Sequence, residues 1–389
     1  YETGRGCPFH CSFCLSGRDD LLRSYSMKRI RSDLLLLMQN HVAKVKLVDR
    51  TFNYDAGRTL EIFRFILEHN RSTHFHFEIG AHLLDDATLA LLDTVPHDMF
   101  QFEIGVQTTL ESTLDAIDRR VNMVKLEENV RRLRESGRIR LHLDLGAGLP
   151  GEGFDSFIAS IDRVMDLAPH HLQIEPVKLL PGSPLRDHAE EQEIRFDPNP
   201  PYTILGSPDL SYAELQQLQD LSRLLDLTYN SGCFATFLHE LTDDSGSFAR
   251  GLVWLAGEWR RLNLFRFPLS RKEIFNNLSK IIGRRDNGIS RQRLVESLAY
   301  DYARCERVVT NRIPDFFDTD LTVAELQWVK NTVQDKTSEI RGKGVKLQYF
   351  AAIFSALHNA GQRTACLFLY LTQSGQKMQV EEYQFCQKK

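Results

Sequence analysis

Five short segments alternate apolar and polar residues with a period of two, and helical stretches separate them. They are Val45–Val48, Phe75–Ile79, Phe100–Ile104, Ile139–Leu145 and Leu172–Val177. Between them, apolar residues recur at helical spacing: Leu110, Leu114 and Ile117; Leu126, Val130 and Leu133; Phe157, Ile161 and Val164. Thr109 and Asp155 stand where N-caps would open two of these helices, and Gly137 where one would end. Strand–helix units repeating at roughly 30 residues predict parallel strands joined by crossover helices. Tyr1–Thr3 reads as the end of a further strand that begins upstream, which would make six.

The faces of the strands narrow the choice further. Phe75, Phe77 and Ile79 alternate with His74, His76 and Glu78, and Phe100, Phe102 and Ile104 with Gln101 and Glu103. Leu141, Leu143 and Leu145 alternate with Arg140, His142 and Asp144, and Leu172 and Ile174 with Gln173 and Glu175. Side chains alternate faces along a strand, so each strand has one apolar and one polar face. A parallel sheet covered on both sides would read as continuous apolar runs. One polar face on successive parallel strands predicts helices outside and a polar, ligand-holding interior. An antiparallel sheet with a wet face shares the alternation, but the intervening helices argue against it. The expected fold class is therefore α/β, a partial (β/α)6 TIM-like barrel over residues 1–190. A proline-rich linker, 191–210, and a mostly helical C-terminal domain, 211–389, follow. In that domain the run Cys366–Thr372 reads as a strand.

Three of the seven cysteines, Cys7, Cys11 and Cys14, cluster at spacings of four and three residues, while Cys233, Cys305, Cys366 and Cys386 are scattered. A secreted disulfide framework would distribute paired cysteines, so the pattern implies a reducing, cytoplasmic setting with one local thiolate site. The scattered four read as core or surface thiols. A tight loop can aim the three sulfurs at one point, which suits an iron–sulfur cluster or a zinc ion. Zinc needs a fourth ligand, for which His10 is the nearest candidate. A four-iron cluster on three thiolates keeps one iron open. A formal net charge of −4 argues against a general nucleic-acid surface, and no apolar run is long enough to span a bilayer.

Cys7-Pro8-Phe9-His10-Cys11-Ser12-Phe13-Cys14, preceded by Thr3-Gly4-Arg5-Gly6, resembles the cluster loop of radical S-adenosylmethionine (SAM) enzymes. Asp49-Arg50-Thr51-Phe52-Asn53, Ile104-Gly105-Val106-Gln107 and Asp118-Arg119-Arg120 are similar to later motifs of the cobalamin-binding subgroup. So are Asp144-Leu145-Gly146-Ala147-Gly148-Leu149-Pro150-Gly151-Glu152 and Leu180-Pro181-Gly182-Ser183-Pro184-Leu185. The resemblance implies that Cys7, Cys11 and Cys14 hold a [4Fe-4S] cluster whose open iron chelates SAM. It also implies reductive SAM cleavage to a 5′-deoxyadenosyl radical. By the same resemblance Phe13 lies beside the adenine and Arg119 pairs with the SAM carboxylate. Glu78, Gln107 and Asp144 bind its hydroxyl and amine groups, and Gly146 and Gly148 allow backbone close to the adenine. An electron donor such as flavodoxin or ferredoxin, a small-molecule substrate and an upstream cobalamin-binding domain of roughly 100–200 residues are implied as well.

The chain departs from that pattern in two places. A Gly-Gly-Glu sequence is absent after the second strand, and Gly146 replaces an expected branched apolar residue. A salt bridge with Arg140 or Lys46 is the alternative role for Glu78. His10, His74, His76 and His142 read as hydrogen-bonded lining residues rather than ligands. The expected reaction is methyl transfer or related C–C or ring-forming chemistry. The alternatives are a tRNA methylthiotransferase, which needs a basic β-rich domain after the barrel, and a non-catalytic iron–sulfur protein.

Overall fold

The computed structural model describes residues 1–17, 22–284, 288–357 and 362–386. The chain divides into two compact units, Tyr1–Leu225 and Asp226–Lys389. In the first unit, β1 (Lys44–Leu47), β2 (His74–Glu78), β3 (Phe100–Gln107), β4 (Arg140–Ala147) and β5 (His171–Pro176) form one parallel sheet in sequential order. Helix α1 (Met27–Gln39) precedes β1, and α2 (Ala56–His69) and α3 (Asp86–Leu92) make the next two crossovers. The pair α4 (Glu111–Ala116) and α5 (Met123–Ser136) leads to β4, and α6 (Phe154–Met165) leads to β5. This is the partial barrel that the alternating strands predict.

The apolar strand faces meet the helices in a phenylalanine core. Phe75, Phe77, Phe100 and Phe102 are fully buried. The ring of Phe63, on α2, lies 5.1 Å from that of Phe77 and 5.3 Å from that of Phe100. Each such side chain contributes about 1.5–3 kcal/mol by leaving water, and the edge-to-face pairs add to it. On the opposite face the polar partners find one another: His76 Nε2 lies 2.9 Å from a Glu103 carboxylate oxygen, and His142 Nε2 lies 3.0 Å from Asp144 Oδ1. His74 meets the Asp98 carbonyl at 2.5 Å. These three histidines are engaged by neighbouring polar groups, and none of them is among the residues that line the cavity described below.

Among the described residues the parallel sheet has five strands where six are expected. Tyr1 still engages the edge of β1: its nitrogen donates to the Lys46 carbonyl at 2.8 Å, and its carbonyl accepts from the Val48 amide at 2.9 Å. Gly137 ends α5 in the left-handed conformation. The other two cap expectations fail. Helix α4 opens after Leu110 and α6 after Gly153, which leaves Asp155 inside the first turn. The Thr109 hydroxyl instead meets Ser160 Oγ at 2.9 Å.

Within the proline-rich segment, Arg195–Phe196 pairs antiparallel with Ile204–Gly206, and α7 (Tyr212–Leu227) follows. The second unit contains α8 (Ala235–Ser245), α9 (Phe248–Arg261), α10 (Arg271–Ile282), α11 (Gly288–Cys305) and α12 (Val323–Glu339). It then forms an antiparallel sheet of β6 (Lys346–Phe354), β7 (Thr364–Thr372) and β8 (Gln379–Cys386), with β7 in the centre. Only β7 is legible as a strand beforehand, because all but its last residue is buried and it reads as one apolar run. The flanking strands carry mixed residues. Among the described residues no helix is long and apolar enough to cross a membrane.

Candidate functional site

The cysteine loop is built onto the sheet before any ligand is considered. Gly4–Arg5 pairs antiparallel with Arg23–Ser24, closing the base of the loop. Buried Asp49, just past β1, accepts from the Thr3 amide at 3.0 Å and from the Thr3 hydroxyl at 2.5 Å. Arg58, on α2, donates to the Thr3 carbonyl at 2.8 Å. Farther along, the Ser12 amide donates to the Ile117 carbonyl at 2.9 Å, and the Ser12 carbonyl accepts from the Leu185 amide at 2.8 Å. The loop is therefore anchored at its root by the Asp49 and Arg58 side chains and near its tip by the backbone of Ile117 and Leu185.

Each thiol is free of disulfide bonding, and each sulfur has one polar neighbour. Cys7 Sγ lies 3.5 Å from Thr51 Oγ1, Cys11 Sγ accepts from Arg119 at 3.5 Å, and Cys14 Sγ accepts from the Ser16 amide at 3.4 Å. Burial pushes the Cys11 thiol up, against the opposing pull of Arg119. Among the described residues, a set of metal-ligating atoms all within 4.8 Å of one another occurs at His239, Glu240 and Asp243 and not at the three cysteines.

The three cysteines line one cavity of about 280 Å³ together with Phe13, Glu78, Gln107, Arg119 and Asp144. These come from the cysteine loop, the ends of β2 and β3, the turn after α4, and β4. Barrel sites occupy this C-terminal edge because the following loops converge there. Gly146 and Gly148, also expected near the ligand, are not among the lining residues.

Their positions have a different physical logic. Between Gly105 and Gln107 the register of β3 shifts against β4, and Gln107 has φ 71°. Such a bulge re-aims a side chain, and a non-glycine residue in the left-handed region costs on the order of 1–3 kcal/mol. A Cβ on Gly105 would stand 2.7 Å from Gln107 Nε2, and one on Gly146 would stand 3.0 Å from Gln107 Oε1. The two glycines thus form the slot that holds the Gln107 amide. Gly148 has φ 95°, and a Cβ there would stand 2.9 Å from the Ile204 side chain. It serves the backbone turn and the packing of the proline-rich hairpin.

The cavity is electrostatically unfinished. Burial raises the Glu78 carboxyl, and neighbouring Glu103 raises it further, with Arg50 opposing. Glu78 makes no ion pair with Arg140 or Lys46 among the described residues. Burial also raises Asp144, against the pull of His142. Contact with His76 lowers Glu103. Burial and the Arg119 charge bring His82 down to about 4, so its imidazole is neutral at pH 7. Two cavity residues keep buried polar atoms without hydrogen-bond partners, Arg119 Nε and His82 Nδ1. Asp144 Oδ1 meets His142 Nε2 as an ion pair at 3.0 Å. An unmet guanidinium donor and a buried carboxylate beside three thiols fit a polar ligand that carries both an acceptor and a donor.

Phe9, Arg50, Thr51, His82, Glu103 and Arg120 also line the cavity without having been singled out. Glu103 belonged to the polar face already recognised, and Arg50 and Thr51 to a quoted motif. His82 follows β2 on a short 3-10 turn with no spacing signal, and its ring lies 6.0 Å from that of Phe9. Glu152 accepts from the Thr108 and Ser160 hydroxyls at 2.9 Å each, tying the loops after β3 and β4 together behind the site.

With this geometry established, residues 1–164 match the model of the radical SAM superfamily. Those residues are a radical SAM domain. Residues 190–351 match a family described as a protein of unknown function (DUF4080). The chain is 26% identical over 223 residues to the cobalamin-dependent radical SAM methyltransferase TokK of Streptomyces tokunonensis, covering 54% of this chain and 32% of that protein. It is also 26% identical over 196 residues to the 2-(S-pantetheinyl)-carbapenam-3-carboxylate methyltransferase of Streptantibioticus cattleyicolor, covering 48% of this chain and 28% of that one. The chain thus spans about a third of the length of these relatives. Among solved structures, the cobalamin-dependent S-adenosylmethionine radical enzyme OxsB aligns with TM-score 0.48 and 13% identity, over 87% of this chain and 58% of that one. The radical SAM methyltransferase TsrM of Kitasatospora setae aligns with TM-score 0.45 and 17% identity, over 54% of this chain and 43% of that one.

Proposed function

We propose that this chain carries the catalytic barrel of a cobalamin-dependent radical SAM enzyme that performs methyl transfer, or related C–C or ring-forming chemistry, on a small molecule. The observation that carries the reading is the convergence of Cys7, Cys11 and Cys14 on one cavity with Arg119, Gln107 and the buried Asp144. The similarity to two curated methyltransferases, one described as cobalamin-dependent, supports the choice of subgroup. In this reading the three thiolates hold a [4Fe-4S] cluster, and the bound cluster and SAM together supply one-electron cleavage of a carbon–sulfur bond. A flavodoxin or ferredoxin would deliver the electron.

The protein's own part is binding, orientation and exclusion of water. Arg119 holds the SAM carboxylate through a charge-assisted hydrogen bond, while Asp144 and Glu78 accept from its amine or hydroxyls. Gln107, fixed in its glycine slot, presents an amide of set direction. Phe13 and Phe9 give the adenine an apolar wall, and neutral His82 adds no charge beside it. Arg119 also donates to the Gly105 carbonyl, which ties it to the bulge that aims Gln107. The tRNA reading draws no support from the C-terminal sheet, whose strands carry Lys346 against Glu381 and Glu382 and so lack basic charge.

Anaerobic reconstitution tests the reading. The protein should bind about four irons and show a cluster spectrum that SAM perturbs. Stoichiometric zinc without iron would refute it. Corrin binding by protein that includes any upstream domain tests the subgroup separately, and a clean cluster with no corrin uptake would leave a radical SAM enzyme of another class.

A further inference from the structure

The second unit brings together two cysteines that lie 72 residues apart in sequence. Cys233 directly precedes the first turn of α8, and Cys305 is the last residue of α11. Cys305 Sγ donates to the Cys233 carbonyl oxygen at 3.8 Å, which makes the two cysteines neighbours in space. Both are free thiols, Cys233 buried and Cys305 partly open to solvent. The surroundings are charged as well as apolar. Arg271 pairs with Glu306 at 3.1 Å, and both act electrostatically on Cys233. Asp301, one turn before Cys305, caps α8 by accepting from the Phe237 amide at 2.8 Å and the Thr236 amide at 3.3 Å.

A carboxylate cap and an ion pair therefore hold the two helix ends with their cysteines as neighbours. The donated hydrogen bond from Cys305 brings Cys233 down to about 7, and the same contact together with burial pushes Cys305 up. A pair that shares a proton in this way yields its first thiolate more readily than an isolated buried cysteine, and the thiolate belongs to the pair.

We propose that Cys233 and Cys305 form a redox-active dithiol that closes to an intramolecular disulfide by exchange with a low-molecular-weight disulfide. Cys233, the thiol of the pair that ionises more readily, attacks one sulfur of the incoming disulfide as thiolate. It forms a mixed disulfide and releases one thiolate. Cys305 then gives up its proton to that thiolate and attacks the Cys233 sulfur, releasing the second thiolate. Two protein thiols are oxidised, the external disulfide is reduced to two thiols, and the bond that forms links the start of α8 to the end of α11. Both cysteines lie in the region matching the family of unknown function, so the device is separate from the cluster site.

The test equilibrates the full chain anaerobically in buffers of reduced and oxidised dithiothreitol at pH 7.5, a chosen working value, followed by acid quench, alkylation and peptide mass spectrometry. The expected result is a linked pair of peptides containing Cys233 and Cys305 that appears as the buffer becomes oxidising and disappears on return. Independent alkylation of both cysteines at every ratio overturns the proposal, as does linkage of either one to another cysteine. A Cys305→Ala variant gives a second reading. Loss of the donor should slow alkylation of Cys233 at pH 7 about tenfold or more, through its smaller thiolate fraction. An unchanged rate would mean that the thiols are not coupled.

Discussion

The two units treat buried polar groups in opposite ways. In the second unit they are paired off. Glu325 closes a capping box with Thr322 and receives Arg363 at 3.1 Å, and Asp301 caps α8. In the first unit many are left open. Among the described residues, the buried polar atoms without partners fall there except for Trp259 Nε1 and Arg293 Nε. Leaving such groups unmet costs stability, and part of the cost falls on cavity residues such as Arg119 and His82. A polar group that stabilises a fold finds its partner within the fold, whereas one kept for a ligand waits.

Substitutions can break this contrast. The largest effect is expected at the cluster. Cys11→Ala should abolish iron binding after reconstitution, while Cys366→Ala, at a fully buried thiol of the second unit, should leave the iron content unchanged and only lower the melting temperature. Equal iron loss in both variants would erase the division. Next comes a crossed pair. Arg119→Ala should weaken SAM binding by about 1.5–3 kcal/mol with the melting temperature nearly unmoved. Glu325→Ala should do the reverse, costing about 1–3 kcal/mol of stability through the lost cap and the stranded Arg363, with SAM affinity unchanged. Calorimetry of ligand binding and thermal unfolding on both variants would decide it.

Acidity sharpens the same contrast with a change of sign. Burial holds Glu78 and Asp144 above ordinary carboxylates, so the folded protein binds their protons more tightly than the unfolded chain. As pH falls from neutrality through their raised range, these two groups should therefore add stability to the ligand-free protein. SAM affinity should fall over the same range, because the acceptors are being protonated. Glu325, held low by Arg363 and its cap against the opposing effect of burial, contributes stability that is lost on acidification. Asp144→Asn should flatten the SAM profile, and an affinity independent of pH in the wild type would contradict the assigned role. The smallest effect is expected at Gly146. Gly146→Val should displace the Gln107 amide and weaken SAM binding by about 1 kcal/mol, while Gly146→Val in a Gln107→Ala background should cost nothing further. Additive losses would show that the slot does not act through Gln107.

Much of the first unit was legible because its signals are local. Period-two alternation marked all five strands to within a residue or two at most ends, and the cysteine spacing marked a loop whose three thiols line one cavity. The bulge at Gln107 was not legible, since nothing in Ile104-Gly105-Val106-Gln107 states that the register slips against β4. The roles of Gly146 and Gly148 were misplaced for the same reason: what a missing Cβ avoids depends on Gln107 and Ile204, which lie far away in sequence. His82 had no periodic or motif signal. In the second unit, β6 and β8 were hidden because edge strands mix polar and apolar residues. The contact of Cys233 with Cys305 arises from helix packing that sequence spacing does not encode.

The fastening of Thr3 has a consequence for the order of assembly. Thr3 is fixed by Asp49 from the end of β1 and by Arg58 from α2, so the root of the cysteine loop cannot settle until that strand and helix have docked. Iron insertion would then be a late event on a prepared seat, and an apoprotein lacking metal should already protect the Thr3 amide from hydrogen exchange. Asp49→Ala would turn that sequence around, making the metal itself responsible for ordering the loop that receives it.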